Sequence, residues 1–109
     1  MNCVIFGGES TVVVTGKGKG GRNQELVLYT ISDLSKKYKD VVVASVGTDG
    51  IDGSTDCAGA VLQSDQKPDS IKHYLDKNDS HAFFKKYGGL IITGPTGTNL
   101  MDVGLVLRK

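Results

Sequence analysis

TVVVTGKGKGGRNQELVLYTISDLSKKYKDVVVASV, residues 11–46, decides the fold. It opens on a β-favouring run, Thr11 to Val14, and then passes through Gly16-Lys17-Gly18-Lys19-Gly20-Gly21-Arg22. Val27, Ile31, Leu34 and Tyr38 follow at intervals of four, three and four residues, which puts one apolar stripe on a helix over residues 22–38. Val41 to Val46 is an apolar run without strict alternation, the pattern of a strand buried on both faces. Strand, glycine turn, helix and central strand make a βαβ order. That order predicts a single-domain layered α/β fold whose sheet is mixed, mostly parallel and flanked by helices.

The flanks extend this picture. Val4 to Phe6 is another short β-favouring run, and Gly7-Gly8-Glu9-Ser10 after it reads as a hairpin or tight corner whose Glu9 could pair with a loop cation. Ala58 to Leu62 is small and apolar, and fits either a strand or the end of a turn of helix. Pro68 suits a helix start, with Ile71, Tyr74 and Leu75 inward. Ser80 suits the cap of another, with Phe83, Phe84 and Tyr87 inward and Gly88 or Gly89 ending it. Leu90 to Thr93 and Val103 to Leu107 read as two final strands, joined by Gly94-Pro95-Thr96-Gly97-Thr98-Asn99.

A chain of 109 residues is one domain with one core, smaller than a two-domain kinase or dehydrogenase, so chemistry that needs an interdomain cleft requires a partner. Thirteen basic and twelve acidic residues leave a net charge of +1, which argues against nucleic acid and against an acidic membrane surface as partners. Cys3 and Cys57 are too few and too far apart for a secreted disulfide framework, and Cys57 has no nearby Cys or His at zinc-finger spacing, so both read as ordinary reduced thiols. No leader-like segment or membrane-length apolar run is present, and the expected compartment is the cytoplasm.

Residues 16–22 admit two readings. As a functional loop, the glycines let the backbone approach a ligand, the following helix start directs its N–H groups and positive dipole end into the loop, and Lys17, Lys19 and Arg22 add charged donors for phosphate or carboxylate. As a bland loop, the same composition is a solvated surface turn. Gly16, Gly18 and Gly21 match G-x-G-x-x-G, the dinucleotide fingerprint, but a lone match is weak. The P-loop pattern fails, because Arg22-Asn23 stands where Lys-Ser/Thr is required.

Gly47 to Asp56 leaves the central strand with three carboxylates, Asp49, Asp52 and Asp56. Such a set can hold magnesium or take a proton from a substrate hydroxyl, and equally Asp beside Gly is a common turn-former. Gly94 to Asn99 has the backbone donors and hydroxyls of an anion nest, and alone it is a plain turn. Three such loops at one end of a sheet would form a single anion-seeking rim. His73 and His81 lie on expected helices, away from these loops, and read as surface or packing residues.

Three segments, GGESTVVVTGKGKGGRNQEL (Gly7 to Leu26), GTDGIDGSTDCAGAV (Gly47 to Val61) and GPTGTNLMDV (Gly94 to Val103), resemble the carboxy-terminal MOFRL domain of the ATP-dependent glycerate kinases. The resemblance runs over nearly the whole chain in the right order. It departs from the family pattern at Ser54, where Pro is favoured, and at Cys57, where a small residue such as Ala is usual.

The resemblance implies transfer of the ATP γ-phosphoryl group to D-glycerate with Mg2+, in a cleft shared with a larger amino-terminal nucleotide-binding domain absent from this chain. Carried over by matching position, it implies Arg22 as the residue that grips the substrate carboxylate or the transferring phosphate, while the carboxylate reading of the Gly47 to Asp56 loop makes Asp49 the catalytic proton acceptor and Asp52 and Asp56 the metal ligands. Lys17, Gly18, Lys19, Gly20, Gly21, Asn23, Thr96, Gly97, Thr98 and Asn99 are then the substrate and phosphate contacts. Two other classes stand beside this one: a free-standing nucleotide or small-anion binding module, and a non-catalytic oligomerisation or stabilising domain, with a homo-oligomer a possible partner state.

Overall fold

The computed structural model describes residues 2–8, 16–66 and 70–109. The Thr11 to Val14 run, Glu9-Ser10 and the Pro68 helix start lie outside the described residues. Five strands, β1 (Asn2–Gly8), β2 (Val41–Gly47), β3 (Gly59–Gln63), β4 (Leu90–Ile91) and β5 (Asp102–Arg108), form one sheet in the order β1-β5-β2-β3-β4. Among the described residues three α-helices, α1 (Arg22–Leu34), α2 (Ile71–Asp76) and α3 (Ser80–Tyr87), and a short 3-10 turn, Ser64–Gln66, accompany it.

Every neighbouring pair in the sheet is antiparallel, which corrects the expected mixed, mostly parallel arrangement. The reason is the last strand. β1 and β2 both run antiparallel to β5, so they are parallel to each other, as a βαβ order demands, but β5 is inserted between them. A strand that arrives 55 residues after β2 separates the two strands that the local pattern suggests are neighbours. Ala58 to Leu62 resolves as a strand, β3, that returns antiparallel along β2.

The helices are not on both sides either. Val27, Leu28 and Ile31 of α1, Ile71 of α2, and Phe83 and Phe84 of α3 share one core with Val41, Val43, Ala60 and Leu62, which all project from the same face of the sheet. Burial along β2 alternates accordingly: Val41, Val43 and Ser45 are buried, while Val42, Ala44 and Val46 are half-buried on the opposite face. The run is thus a half-covered antiparallel strand, not one buried on both faces. On that opposite face Ile5 is 73% and Val103 42% exposed.

Edge-on ring contacts knit the helical layer, with centroids 5.1 Å apart for Phe83 and Phe84 and 5.5 Å for Tyr74 and Phe83. α1 stops at Leu34, earlier than its apolar stripe suggests, and Tyr38 reaches past it to lie 4.5 Å under the Arg108 guanidinium. Among the described residues no helix is long and apolar enough to cross a membrane.

Candidate functional site

Register places one end of each strand at a common rim: Gly8 lies opposite Asp102, Asp102 opposite Gly47, Val46 opposite Gly59, and Gly59 opposite Ile91. The start of α1 belongs to the same end. The 47–58 loop is the hub there. Thr96 donates its N–H to the Asp49 carbonyl at 3.2 Å and its hydroxyl to the Thr48 carbonyl, which ties in residues 94–99. Leu100 N–H donates to the Thr48 hydroxyl at 2.7 Å, which itself donates to the Met101 carbonyl.

Asp52 joins the hub to α1, and its carboxylate is fully buried. Oδ1 accepts from the Asn23 backbone N–H at 2.9 Å and the Asn23 amide at 3.1 Å; Oδ2 accepts from the Gln24 backbone N–H at 2.8 Å and the Gln24 amide at 3.0 Å. Gly21, the residue at the N-cap position, has no side chain to cap the helix. Asp52 therefore caps it from 29 residues away, with a full negative charge on the positive dipole end. A Cβ on Gly21 would overlap the Asp52 carboxylate, so glycine is required there for space. The network continues inward: Ser45 Oγ donates to Asn23 Oδ1 at 2.6 Å, and Gln24 Nε2 also donates to Thr55 Oγ1 at 3.0 Å.

The glycine segment runs along the α2–α3 connection. Gly16 N–H donates to Asn78 Oδ1 at 2.8 Å, Gly18 N–H to the Lys77 carbonyl at 2.9 Å and Lys19 N–H to Asp79 Oδ1 at 2.9 Å, while the Lys19 carbonyl accepts from His81 N–H at 2.9 Å. His81 consequently sits beside this loop, which corrects its expected placement away from the loops. Its ring is buried 3.4 Å from Gln24 Oε1, and burial, reinforced by the Lys19 and Lys85 charges, holds its pKa below the ordinary 6.5. Asn78 also donates to Glu25 Oε1 at 2.6 Å, and burial pushes the Glu25 carboxyl up despite that bond.

Arg22, the first residue of α1, pairs in two-bond geometry with Asp102: Nε to Oδ2 at 2.7 Å and Nη2 to Oδ1 at 2.9 Å. The side chains are 30% and 7% exposed respectively. Asp102 lies within the GPTGTNLMDV segment and heads an otherwise apolar strand, Val103 to Leu107, but neither signal pairs it with Arg22. Gln24, Ser45, Thr55, Asn78 and Asp79 are likewise structural partners whose roles sequence spacing does not reveal.

The expected site residues divide by position. Lys17, Gly18 and Lys19 are exposed along the α2–α3 connection, Thr96, Gly97, Thr98 and Asn99 are exposed in the turn that Thr96 ties to the 47–58 loop, and Gly20 and Arg22 are half-buried. Asn23 turns inward to Asp52 and Ser45. Asp49 Oδ1 accepts from Ile51 N–H at 3.0 Å in a local turn. Asp56 is exposed beside the buried Cys57 thiol, 3.5 Å from Sγ; burial, with the Asp56 carboxylate, pushes that thiol's pKa up. Among the described residues no group of three His, Cys, Asp or Glu side chains could hold a metal ion.

Residues 2–102 match the MOFRL family model. The chain is 48% identical over 107 residues to the glycerate 2-kinase of Picrophilus torridus, covering 96% of this chain and 26% of that protein. It is 45% identical over 112 residues to the D-glycerate 2-kinase of Thermotoga maritima, covering 95% and 27%. The crystal structure of glycerate kinase from Thermotoga maritima superposes with a TM-score of 0.88 at 43% identity, covering 98% of this chain and 27% of that one. The chain therefore spans about a quarter of the length of the relatives it matches. Fold, motif order and the extent of the match agree, and the chain belongs to the MOFRL family.

Proposed function

We propose that this chain is the substrate-facing part of a glycerate kinase, which transfers the γ-phosphoryl group of ATP to D-glycerate, and that the larger remainder of such an enzyme holds the nucleotide. The observation that carries the reading is Arg22, whose guanidinium is fixed at the rim where the loops of all three family segments meet. Phosphoryl transfer depends mainly on positioning and on neutralising developing negative charge. A guanidinium supplies both, because its planar donors match carboxylate and phosphate oxygens. Lys17 and Lys19, both exposed, add positive charge to the segment that leads into Arg22.

ATP would bring Mg2+, but Asp52, one of the two expected metal ligands, does not fit that ion. Both Asp52 oxygens are engaged by the start of α1, and Asp49 is used in a turn. No step is assigned to metal bound by this chain. The helix dipole is likewise already answered by Asp52, so the anion must be met by side chains at the rim. This weighs against a free-standing anion module built on the helix start.

The test is ADP release with D-glycerate, run on the chain alone and on the Thermotoga maritima D-glycerate 2-kinase with its matching segment replaced by this chain. The expected result is that the chain alone is inactive and the chimera turns over. Arg22→Ala in the chimera lowers kcat/KM by at least about tenfold, equivalent to roughly 1.4 kcal/mol. Turnover by the lone chain, or an unchanged rate for Arg22→Ala, overturns the reading.

A further inference from the structure

Arg22 stands where electrostatics opposes it. A cation in the first turn of a helix meets the positive end of the dipole, which favours acidic side chains. Two carboxylates offset that placement from different directions. Asp52 takes the backbone N–H groups of the second and third helical residues, and Asp102 takes the Arg22 side chain itself.

Asp102 is the rigid member of its pair. It opens β5, hydrogen-bonded between β1 and β2 at the positions of Gly8 and Gly47, and its side chain is 7% exposed against 30% for Arg22. Pairing through Nε and Nη2 fixes both the plane and the distance of the guanidinium, which a single contact would leave free to rotate. Breaking a buried pair is costly, yet replacing one with apolar groups is often neutral, so stability alone is a poor reason to keep it.

We infer that Asp102 is a positioning residue for phosphoryl transfer, holding the Arg22 guanidinium in the orientation in which it meets the anionic reactants. The inference rests on the glycerate kinase reading above.

Its test is a double-mutant cycle in the chimera, with melting temperatures measured throughout. Asp102→Asn lowers kcat/KM by about tenfold or more, chiefly in kcat, because misplacing an otherwise intact donor damages the transition state more than binding. In an Arg22→Ala background the same substitution costs less than about twofold further, since a residue that acts through Arg22 has nothing left to position. Added guanidinium ion restores activity to Arg22→Ala, and restores less to Arg22→Ala/Asp102→Asn. If Asp102→Asn fails to fold, Asp102→Glu answers instead: it retains the charge and shifts the guanidinium by one methylene, and kcat falls while melting stays close to the parent's.

Losses that multiply in the double variant overturn the inference, as does an unchanged kcat in folded Asp102→Asn or Asp102→Glu. An unchanged rate in Arg22→Ala overturns the kinase reading instead, so the two failures are distinguishable.

Discussion

Residues 16–21 and 94–99 are both glycine-rich, both reach the same rim, and use glycine for opposite reasons. In the first segment the backbone lies against other backbone. A methyl on Gly18 would overlap Asp79, and one on Gly16 would overlap Lys77, though neither glycine has a left-handed φ. In the second, Gly94 and Gly97 have φ of 72° and 77° with nothing within 4 Å of where a Cβ would stand. One loop needs space and the other needs conformation. A glycine-rich stretch is therefore not one kind of object: the first is a packed strap across the α2–α3 connection, and the second is an exposed turn anchored through Thr96 and Asn99.

The largest effect is expected where the strap meets the helix. Asp52→Ala leaves two backbone N–H groups and two side-chain amides without their acceptor in a buried site, and should lower stability by about 3 kcal/mol or more in urea unfolding. A loss below about 1 kcal/mol would mean that water replaces the carboxylate and that the strap's end is not packed.

The two loops can then be set against each other directly. Gly18→Ala should cost about 1–3 kcal/mol through overlap with Asp79. Gly97→Ala should cost about 1 kcal/mol through backbone strain alone. Asparagine sharpens the contrast, because it tolerates the left-handed region but is larger than alanine. Gly97→Asn should be milder than Gly97→Ala, and Gly18→Asn harsher than Gly18→Ala. Unfolding midpoints that reverse either order would dissolve the distinction.

The smallest effect concerns His81, which the strap covers. Its folded pKa lies below 6.5, so on acidification the unfolded chain takes up the proton first and stability falls from about pH 6.5 downward. The ring is flanked by Lys19 and Lys85, which oppose the charged form, and by Asp56 and Asp79, which favour it. Glu25 carries the opposite sign, because its raised pKa removes stability as pH rises from 4.5. The measure is thus the difference between parent and His81→Gln. Between about pH 7.5 and pH 5.5 the parent should lose more stability than the variant, and parallel curves would show that the strap leaves His81 open to solvent.

Local chemistry in the sequence determined the elements. The Val27/Ile31/Leu34 stripe makes α1 and its buried face, Val41 to Val46 makes the central strand, Phe83 and Phe84 enter the core, and glycine and aspartate runs mark the loops at the ends of strands. Periodicity and turn chemistry act over a few residues, so a few residues suffice to read them. The segments that carry the family are legible for the same reason.

Tertiary structure alone decided which strands are neighbours and which charges meet. β5 enters between β1 and β2, in a register that aligns Asp102 with both Gly8 and Gly47, a pairing made across the whole chain and invisible in any window of it. The same insertion brings Asp102 to Arg22 across 80 residues, and the 47–58 loop brings Asp52 to α1 across 29. A carboxylate in a sequence is a turn-former, a metal ligand or a helix cap with equal ease. Only burial beside unpaired N–H groups made Asp52 the last of these, because there a charge without such partners could not be desolvated.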